Sequence, residues 1–147
     1  VTRRDPMAMK PFCGYNFADY WAHWLSFADR SDNLPKIFHV NWFRQDRDGK
    51  FLWPGFGDNL RVLKWILDRC DGRVGAQDTP IGYLPLPADV DTNGLQISSS
   101  DLASLLQVDK TQWIEELDAV GEYFDEYGDR LPDELRREQQ KVVNSLS

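Results

Sequence analysis

Phe51-Leu52-Trp53-Pro54-Gly55-Phe56-Gly57 is an apolar run that one proline and two glycines interrupt. It suits neither a strand nor a helix, because proline removes a backbone donor and glycine adds backbone freedom. Asn41-Trp42-Phe43 end the predicted strand before it, and Asp58-Asn59 stand at the predicted start of the helix after it. The sequence therefore predicts a strand, an irregular loop and a helix, in this order, over residues 37–59.

The residues before this run predict one strand and one helix. Ile37–Phe43 is rich in β-formers and has the length of a strand, which we expect to be buried on both faces. Arg44–Lys50 is charged and contains the turn dipeptide Asp48-Gly49. Further upstream, aromatic residues recur at helical spacing between Tyr15 and Phe27, which predicts an aromatic-faced helix. They are Phe17, Tyr20, Trp21 and Trp24.

The residues after the run predict mostly helices. A helix capped by Asp58 should end near Cys70, and Pro80–Pro85 is typical of a short strand. Ser98–Leu106 predicts a short helix, Asp109 caps a longer one, and Leu131-Pro132 starts a final amphipathic helix. The fold class is therefore α/β, with short strands followed by C-terminal helices. Two strands do not make a stable sheet alone, so we expect them to complete a mixed sheet begun upstream.

The composition fits one soluble globular domain in a reducing compartment. The chain has 147 residues, of which 41% are hydrophobic and 28% charged. No apolar run approaches the roughly 18 residues of a membrane span, and no secretion signal opens the chain. Cys13 and Cys70 are too few for a disulfide framework and lack metal-ligand spacing. We therefore expect reduced thiols in a cytoplasmic protein with no membrane partner.

The charge distribution disfavours nucleic-acid binding and limits where a phosphorylated ligand could bind. The net charge is −7, with a balance of +2 over residues 1–85 and −9 over residues 86–147. Binding to a nucleic-acid backbone requires a basic stripe. A small phosphorylated ligand requires only a local site, which should lie in the first half of the chain.

Three features of segment 41–59 suit a flat heteroaromatic ligand. Phenyl rings such as Phe43, Phe51 and Phe56 can stack on a base, which contributes roughly 1–3 kcal/mol per base. Glycine lets a backbone approach closely. The Asn59 amide and the backbone of Trp42 and Gly55 can read the edge of the base. From these residues alone, a hydrophobic plug over a core is the commoner explanation, and a sugar- or peptide-binding aromatic surface is another.

The chain resembles the GTP-dependent phosphoenolpyruvate carboxykinases nearly throughout its length. The Phe51–Gly57 run is highly specific to that family, and the residues around Arg3-Arg4-Asp5-Pro6-Met7 are similar to actinobacterial members. Further matching strings are Ala8–Phe17, His23-Trp24-Leu25, Leu34–Phe43, Gly49-Lys50, Arg61-Val62-Leu63, Thr79–Gly82 and Leu131-Pro132. The resemblance implies that residues 1–147 are the C-terminal part of a carboxykinase-type GTP-binding catalytic domain.

The resemblance also implies an activity and a binding site. Members of the family convert oxaloacetate and GTP to phosphoenolpyruvate, GDP and CO₂. The residues matching those that enclose guanine in the family are Phe43 and Phe56, which sandwich the base, with Phe51 at the pocket edge. Asn59 matches the residue that hydrogen-bonds guanine, beside the backbone of Trp42 and Gly55.

The catalytic and metal-binding residues of the family are expected outside this chain. The sequence contains no G-x-x-x-x-G-K-[ST] run, and the family's Mn²⁺ ligands lie upstream. We expect Mn²⁺ and Mg²⁺ in the full enzyme, with no metal ligand or catalytic residue here. His23 is expected on the aromatic helix and His39 in the buried strand, both structural. Residues 1–6 resemble the exit of a mobile lid that excludes water from the active site.

Two other functions remain open at this stage. One is a stand-alone module that binds an aromatic ligand without catalysis. The other is an interaction domain whose helical tail, residues 98–147, docks a protein partner. The family resemblance favours instead a monomeric enzyme whose partners are small-molecule substrates and the upstream part of the same polypeptide.

Overall fold

The computed structural model describes residues 4–5 and 8–147 of the chain. These residues form two units, one of residues 36–108 and the other of the described residues before 36 together with 109–147. The described residues contain five α-helices and one two-stranded antiparallel sheet. The predicted combination of helices with short strands is therefore confirmed, while the larger mixed sheet stays a prediction.

The unit of residues 36–108 contains two helices and the hairpin. The helices are α2 (Asn59–Cys70) and α3 (Ser99–Leu106), and the strands are β1 (Gln77–Thr79) and β2 (Gly82–Leu84). In the hairpin Gln77 lies opposite Leu84 and Thr79 opposite Gly82. The strand predicted in Pro80–Pro85 is thus confirmed as β2. Its partner β1 has the sequence Gln-Asp-Thr, which gave no apolar signal.

The strand predicted over Ile37–Phe43 is not formed among the described residues, and the upstream sheet that it was expected to complete stays a prediction. None of these residues pairs with another strand in the described chain, and most are exposed, including His39. A strand exists only where a neighbour accepts its backbone hydrogen bonds, and no described segment does so here. At its end, the Asn41 side chain accepts the backbone N–H of Phe43 at 2.9 Å, which forms a turn. Among the described residues, His39 is accordingly exposed and outside any strand, rather than buried in one as expected.

Helix α2 begins and ends where predicted, but its packing differs from expectation. Asp58 occupies the N-cap position without a capping hydrogen bond, because its carboxylate instead accepts from Arg61 Nε at 3.1 Å. The buried face is centred on Trp65, whose ring meets Phe38 edge to face at 6.2 Å. The sequence spacing places Leu60, Leu63, Ile66 and Leu67 on one apolar face, but of these Leu60, Leu63 and Leu67 are exposed.

The remaining helices start at the predicted caps. The Ser98 hydroxyl accepts the backbone N–H of Asp101 at the start of α3. The Asp109 carboxylate accepts the backbone N–H of Gln112 at the start of α4 (Lys110–Asp125). Pro132 precedes α5 (Asp133–Leu146). These short-range side-chain contacts explain why local sequence located the helices well.

In the other unit, an aromatic cluster joins α1 (Phe17–Leu25) to α4. Asn16 caps α1 by accepting the backbone N–H of Ala18 at 2.9 Å. The Trp21 ring contacts Tyr123 of α4 at 6.0 Å and Tyr127, just after α4, at 4.9 Å, both edge to face. The predicted aromatic-faced helix is confirmed, although it is shorter than expected and continues as a 3₁₀ turn over Ser26–Asp29.

Helices α4 and α5 approach each other closely at a glycine. The Gln139 amide donates to the backbone carbonyl of Leu117 at 2.7 Å. A Cβ atom at Gly121 would lie 2.6 Å from the Gln139 amide nitrogen. Glycine at position 121 therefore makes room for a side chain that hydrogen-bonds the backbone of the neighbouring helix.

Most of the predicted lid exit, residues 1–3 and 6, lies outside the described residues. Arg4 is described, and its guanidinium forms ion pairs with Glu122 at 3.2 Å and Glu126 at 3.6 Å on α4. Among the described helices, none has the length and apolar character needed to cross a bilayer.

Candidate functional site

A tight turn brings two of the predicted site rings together. The Asp46 carboxylate accepts the backbone N–H groups of Asp48 and Lys50, each at 2.9 Å, while Gly49 takes φ +80°. An isolated bridge pairs Gln45 with Phe51. Because the chain reverses here, the rings of Phe43 and Phe51 lie 6.0 Å apart at an interplanar angle of 65°.

Arg44 anchors the base of this turn to α3. Its guanidinium donates to the backbone carbonyls of Leu105 at 3.1 Å and Gln107 at 3.0 Å. Carbonyls at the end of a helix lack partners within the helix and attract cations. The backbone N–H of Leu52 donates to the carbonyl of Arg44 at 2.9 Å, which closes the turn. The position of Phe43 thus depends on the hydrogen bonds made by Arg44, the next residue in the chain.

Gly55 sets the path of the chain into α2. It adopts φ +137° and ψ −173°, a conformation essentially restricted to glycine. A Cβ atom there would meet nothing within 4 Å, so backbone conformation rather than space requires the glycine. A 3₁₀ turn over Phe56–Asp58 follows and leads directly into α2.

The three phenylalanines are exposed rather than packed in the core. Phe43 is 72% exposed, Phe51 51% and Phe56 92%. A hydrophobic plug would be buried, and Phe56 pairs with no other aromatic ring in the described part of the chain. The rings therefore have faces that can stack on a flat ligand. The structure brings the rings of Phe43 and Phe51 together, and Phe56 forms no ring pair with either of them.

Asn59 is held by a residue that the sequence did not identify. The Trp53 indole N–H donates to Asn59 Oδ1 at 2.8 Å. Trp53 is only 6% exposed, and its ring lies 6.3 Å from that of Trp42. A buried indole N–H usually finds an acceptor, and this preference is the signal that could have pointed from Trp53 to Asn59.

The backbone groups predicted to read a base edge lie on either side of the turn. The Gly55 carbonyl accepts the backbone N–H of Asp58 at 3.1 Å, so one of its lone pairs is used. Trp42 lies within the turn closed by Asn41 and Phe43. Both groups belong to the same unit as the rings.

The main clefts in the described residues lie elsewhere. One of about 310 Å³ is lined by residues such as Lys10 and Tyr127. Another of about 450 Å³ lies between β1 and α3 and includes Asp78 and Leu106. Neither includes the predicted site residues, so segment 41–59 presents an open surface. A stacking surface needs accessible ring faces, and the exposed rings of this segment provide them.

The histidines and cysteines do not form a metal centre with one another in the described residues. No group of three or more histidine, cysteine or acidic side chains there is placed to hold a metal ion. His23 lies on α1, exposed, with its ring edge to face against Phe27 at 5.0 Å. Cys13 and Cys70 are free thiols, and Cys70 is the last residue of α2.

Comparison with known proteins gives one consistent match. A family described as the phosphoenolpyruvate carboxykinase C-terminal P-loop domain matches residues 1–145. The chain is 52% identical over 136 residues to a protein of Neocallimastix frontalis named phosphoenolpyruvate carboxykinase [GTP], covering 90% of this chain and 22% of that protein. Proteins with the same name from Anaeromyxobacter sp. (strain K) and Chlamydia muridarum are 49% and 50% identical, covering 99% and 98% of this chain. The chain spans 24% of the length of each of these two.

Proposed function

The chain belongs to the family of phosphoenolpyruvate carboxykinase C-terminal P-loop domains, and on this premise we propose that it binds the guanine base in a GTP-dependent phosphoenolpyruvate carboxykinase. The whole enzyme would convert oxaloacetate and GTP to phosphoenolpyruvate, GDP and CO₂. Because the chain spans about a quarter of the length of its relatives, the reaction is assigned to the full-length protein and base binding to this part.

The exposed rings of segment 41–59 carry the proposal. Large apolar rings are normally buried, and an exposed cluster marks a binding surface. The exposure of Phe43 and Phe56 leaves faces that can stack on the two sides of a purine, with Phe51 beside Phe43 at the edge. Stacking contributes affinity with little preference among bases. Selectivity must therefore come from groups that meet the edge of the base.

Asn59 and nearby backbone groups would supply this selectivity. Asn59 is half-buried at the first residue of α2, close in sequence to Gly55 and Phe56. Its amide can donate to an acceptor on the base, while the backbone of Trp42 and Gly55 can meet other positions on the edge. A fixed base places the γ-phosphate for transfer, because phosphoryl transfer depends mainly on positioning and electrostatic stabilisation.

The remaining parts of the reaction are assigned to the upstream part of the polypeptide. These parts are the phosphate cradle, the residues that bind oxaloacetate and the ligands of Mn²⁺ and Mg²⁺, which would supply positive charge to the phosphates. Residues 1–6 would form the exit of the lid. The two free thiols fit a cytoplasmic enzyme. We expect a monomer.

Steady-state kinetics of the full-length enzyme test the guanine site. Phe43→Ala and Phe56→Ala should each raise the KM for GTP about 5- to 150-fold, the equivalent of losing one stacked ring, with little change in the KM for oxaloacetate. Tyr83→Ala removes an exposed ring from β2 in the same unit and serves as the matched control. Equal effects of Phe43→Ala on both substrates would contradict the proposal.

The alternative of a stand-alone binding module has less support. Free guanine nucleotide would find stacking rings in this chain without a phosphate-binding loop of the G-x-x-x-x-G-K-[ST] type. Calorimetric titration of the isolated chain with GDP separates the two: affinity equal to that of the full enzyme favours the module, and much weaker affinity favours the enzyme.

A further inference from the structure

The hydrogen bond between Trp53 and Asn59 determines which way the Asn59 amide faces. An indole N–H can only donate, so the atom that meets it at 2.8 Å must be the amide oxygen. If the amide were rotated by 180°, its NH₂ group would face another donor and the indole would lose its acceptor. Elementary donor and acceptor chemistry thus assigns the orientation.

The surroundings of Trp53 make this orientation rigid. Trp53 is 6% exposed, so no water can readily replace Asn59 as the acceptor of its N–H. The Trp42 ring lies against it at 6.3 Å with an interplanar angle of 43°. Asn59 itself is the first residue of α2, where the helical backbone restricts its side chain.

The Asn59 NH₂ group is therefore the part of the amide left for a ligand. No described residue accepts a hydrogen bond from it. A donor in this position pairs with an acceptor on the base edge, such as the 6-oxo group of guanine or hypoxanthine. Adenine carries an amino group at the same ring position, so it would place a donor against a donor.

We propose that Trp53 is a positioning residue for base selection: its indole N–H fixes the Asn59 amide with NH₂ toward the ligand, so that the site accepts 6-oxopurines. This inference rests on the proposed guanine site. It predicts that removing the indole N–H weakens discrimination at the 6-position and leaves discrimination at the 2-position unchanged.

Kinetics of the full-length enzyme with three nucleotides test this role. GTP and inosine triphosphate both carry the 6-oxo group, whereas 2-aminopurine riboside triphosphate lacks it and keeps the 2-amino group. Trp53→Phe should lower the ratio of kcat/KM for GTP to that for the 2-aminopurine nucleotide about two- to tenfold, as expected for one hydrogen bond. The ratio of GTP to inosine triphosphate should not change.

Trp65→Phe is the matched control. Trp65 is 5% exposed and belongs to the same unit, but its indole N–H has no hydrogen-bond partner in the described residues. The Trp65→Phe substitution removes the same ring atoms from an equally buried position and leaves Asn59 and its hydrogen bond in place. A general loosening of the unit would lower the ratio of kcat/KM for GTP to that for the 2-aminopurine nucleotide in both variants alike. The positioning role predicts a lower ratio in Trp53→Phe alone.

The double variant separates this inference from the proposed function. We call the ratio of kcat/KM for GTP to that for the 2-aminopurine nucleotide the 6-position ratio. Trp53→Phe should have no further effect on this ratio once Asn59→Ala is present, because Trp53 acts through Asn59. If Asn59→Ala lowers the ratio and Trp53→Phe does not, the positioning role is wrong and the guanine site stands. If Phe43→Ala, Phe56→Ala and Asn59→Ala all leave GTP kinetics unchanged, the guanine site itself is wrong.

A second replacement covers the case in which Trp53→Phe does not fold. Incorporating 3-benzothienylalanine at position 53 replaces the indole N–H with sulfur in a ring of nearly the same shape. The same two- to tenfold fall in the 6-position ratio is expected. An unchanged ratio in this folded variant overturns the proposal.

Discussion

The ring of Phe51 meets the ring of Phe43 at a centroid distance of 6.0 Å and an angle of 65°, across the turn closed by the bridge between Gln45 and Phe51. Edge-to-face pairs of this kind contribute about 0.5–1.5 kcal/mol beyond the area they bury. Phe51 therefore supports Phe43 from one side, and the face of Phe43 that would meet a base depends on it.

Removing the Phe51 ring should weaken nucleotide binding indirectly. We expect Phe51→Ala to raise the KM for GTP about two- to tenfold, because Phe43 loses its edge-to-face partner. Phe51→Tyr keeps the ring and should stay within about twofold of the unaltered enzyme. Steady-state kinetics with GTP and oxaloacetate varied in turn measure both. A larger rise in the KM for oxaloacetate than for GTP would be inconsistent with this role.

Breaking the anchor at Arg44 should loosen the turn that carries Phe43. Arg44→Met keeps most of the side-chain length but leaves the carbonyls of Leu105 and Gln107 without their charged donor. Hydrogen–deuterium exchange of a peptide covering residues 44–52 should become faster, because the Leu52 amide then opens more often. A peptide from α5 is the internal control. Unchanged exchange over residues 44–52 would show that Arg44 is dispensable there.

Gly121 and Gln139 should behave as a coupled pair. Gly121→Ala gains about 1 kcal/mol of helix propensity but displaces the Gln139 amide from the Leu117 carbonyl, so its net effect should be near zero. In a Gln139→Ala background the displacement no longer matters, and the same substitution should stabilise the protein by about 1 kcal/mol. A double-mutant cycle of unfolding free energies measures this. Additive effects would rule out the coupling.

Tyr123 should contribute a stability term that is lost at alkaline pH. Burial, followed by its hydrogen bond with the Tyr127 hydroxyl, raises the pKa of Tyr123 above its ordinary value of 10.0. The neutral phenol is thus favoured in the folded state, so this contribution is fully present below about pH 10 and declines as pH rises further. Thermal midpoints between pH 9 and 11 should fall more steeply for the unaltered enzyme than for Tyr123→Phe. Equal slopes would contradict the raised pKa.

Local sequence located the helices because their signals are local. Ser98 and Asp109 bond to backbone groups three residues ahead, within the reach of a sequence motif. The strand predicted over residues 37–43 failed because a strand depends on a distant partner, which β-propensity does not supply. β1 went unnoticed because its sequence, Gln-Asp-Thr, contains no apolar residue, although it pairs with β2 along its whole length.

The sequence marked individual residues of the candidate site but not the connections between them. Exposed rings at 43, 51 and 56 lie on the segment that the sequence singled out. The links from Arg44 to α3 and from Trp53 to Asn59 were not predicted. The Arg44 contacts join positions about sixty residues apart, and neither residue in such a pair has a motif that marks it. Trp53 and Asn59 are only six residues apart, but the hydrogen bond between them requires a turn whose path depends on Gly55.

One unit of the fold is assembled from two stretches that residues 36–108 separate in the chain. Trp21 meets Tyr127, and Arg130 meets Asp19, only after the last of these residues has been synthesised. At a ribosomal rate of about 5–20 residues per second, the aromatic face of α1 waits roughly 5–20 s for its partners. During that interval the rings of α1 lack these partners, whereas residues 36–108 form the other unit from one continuous stretch of chain.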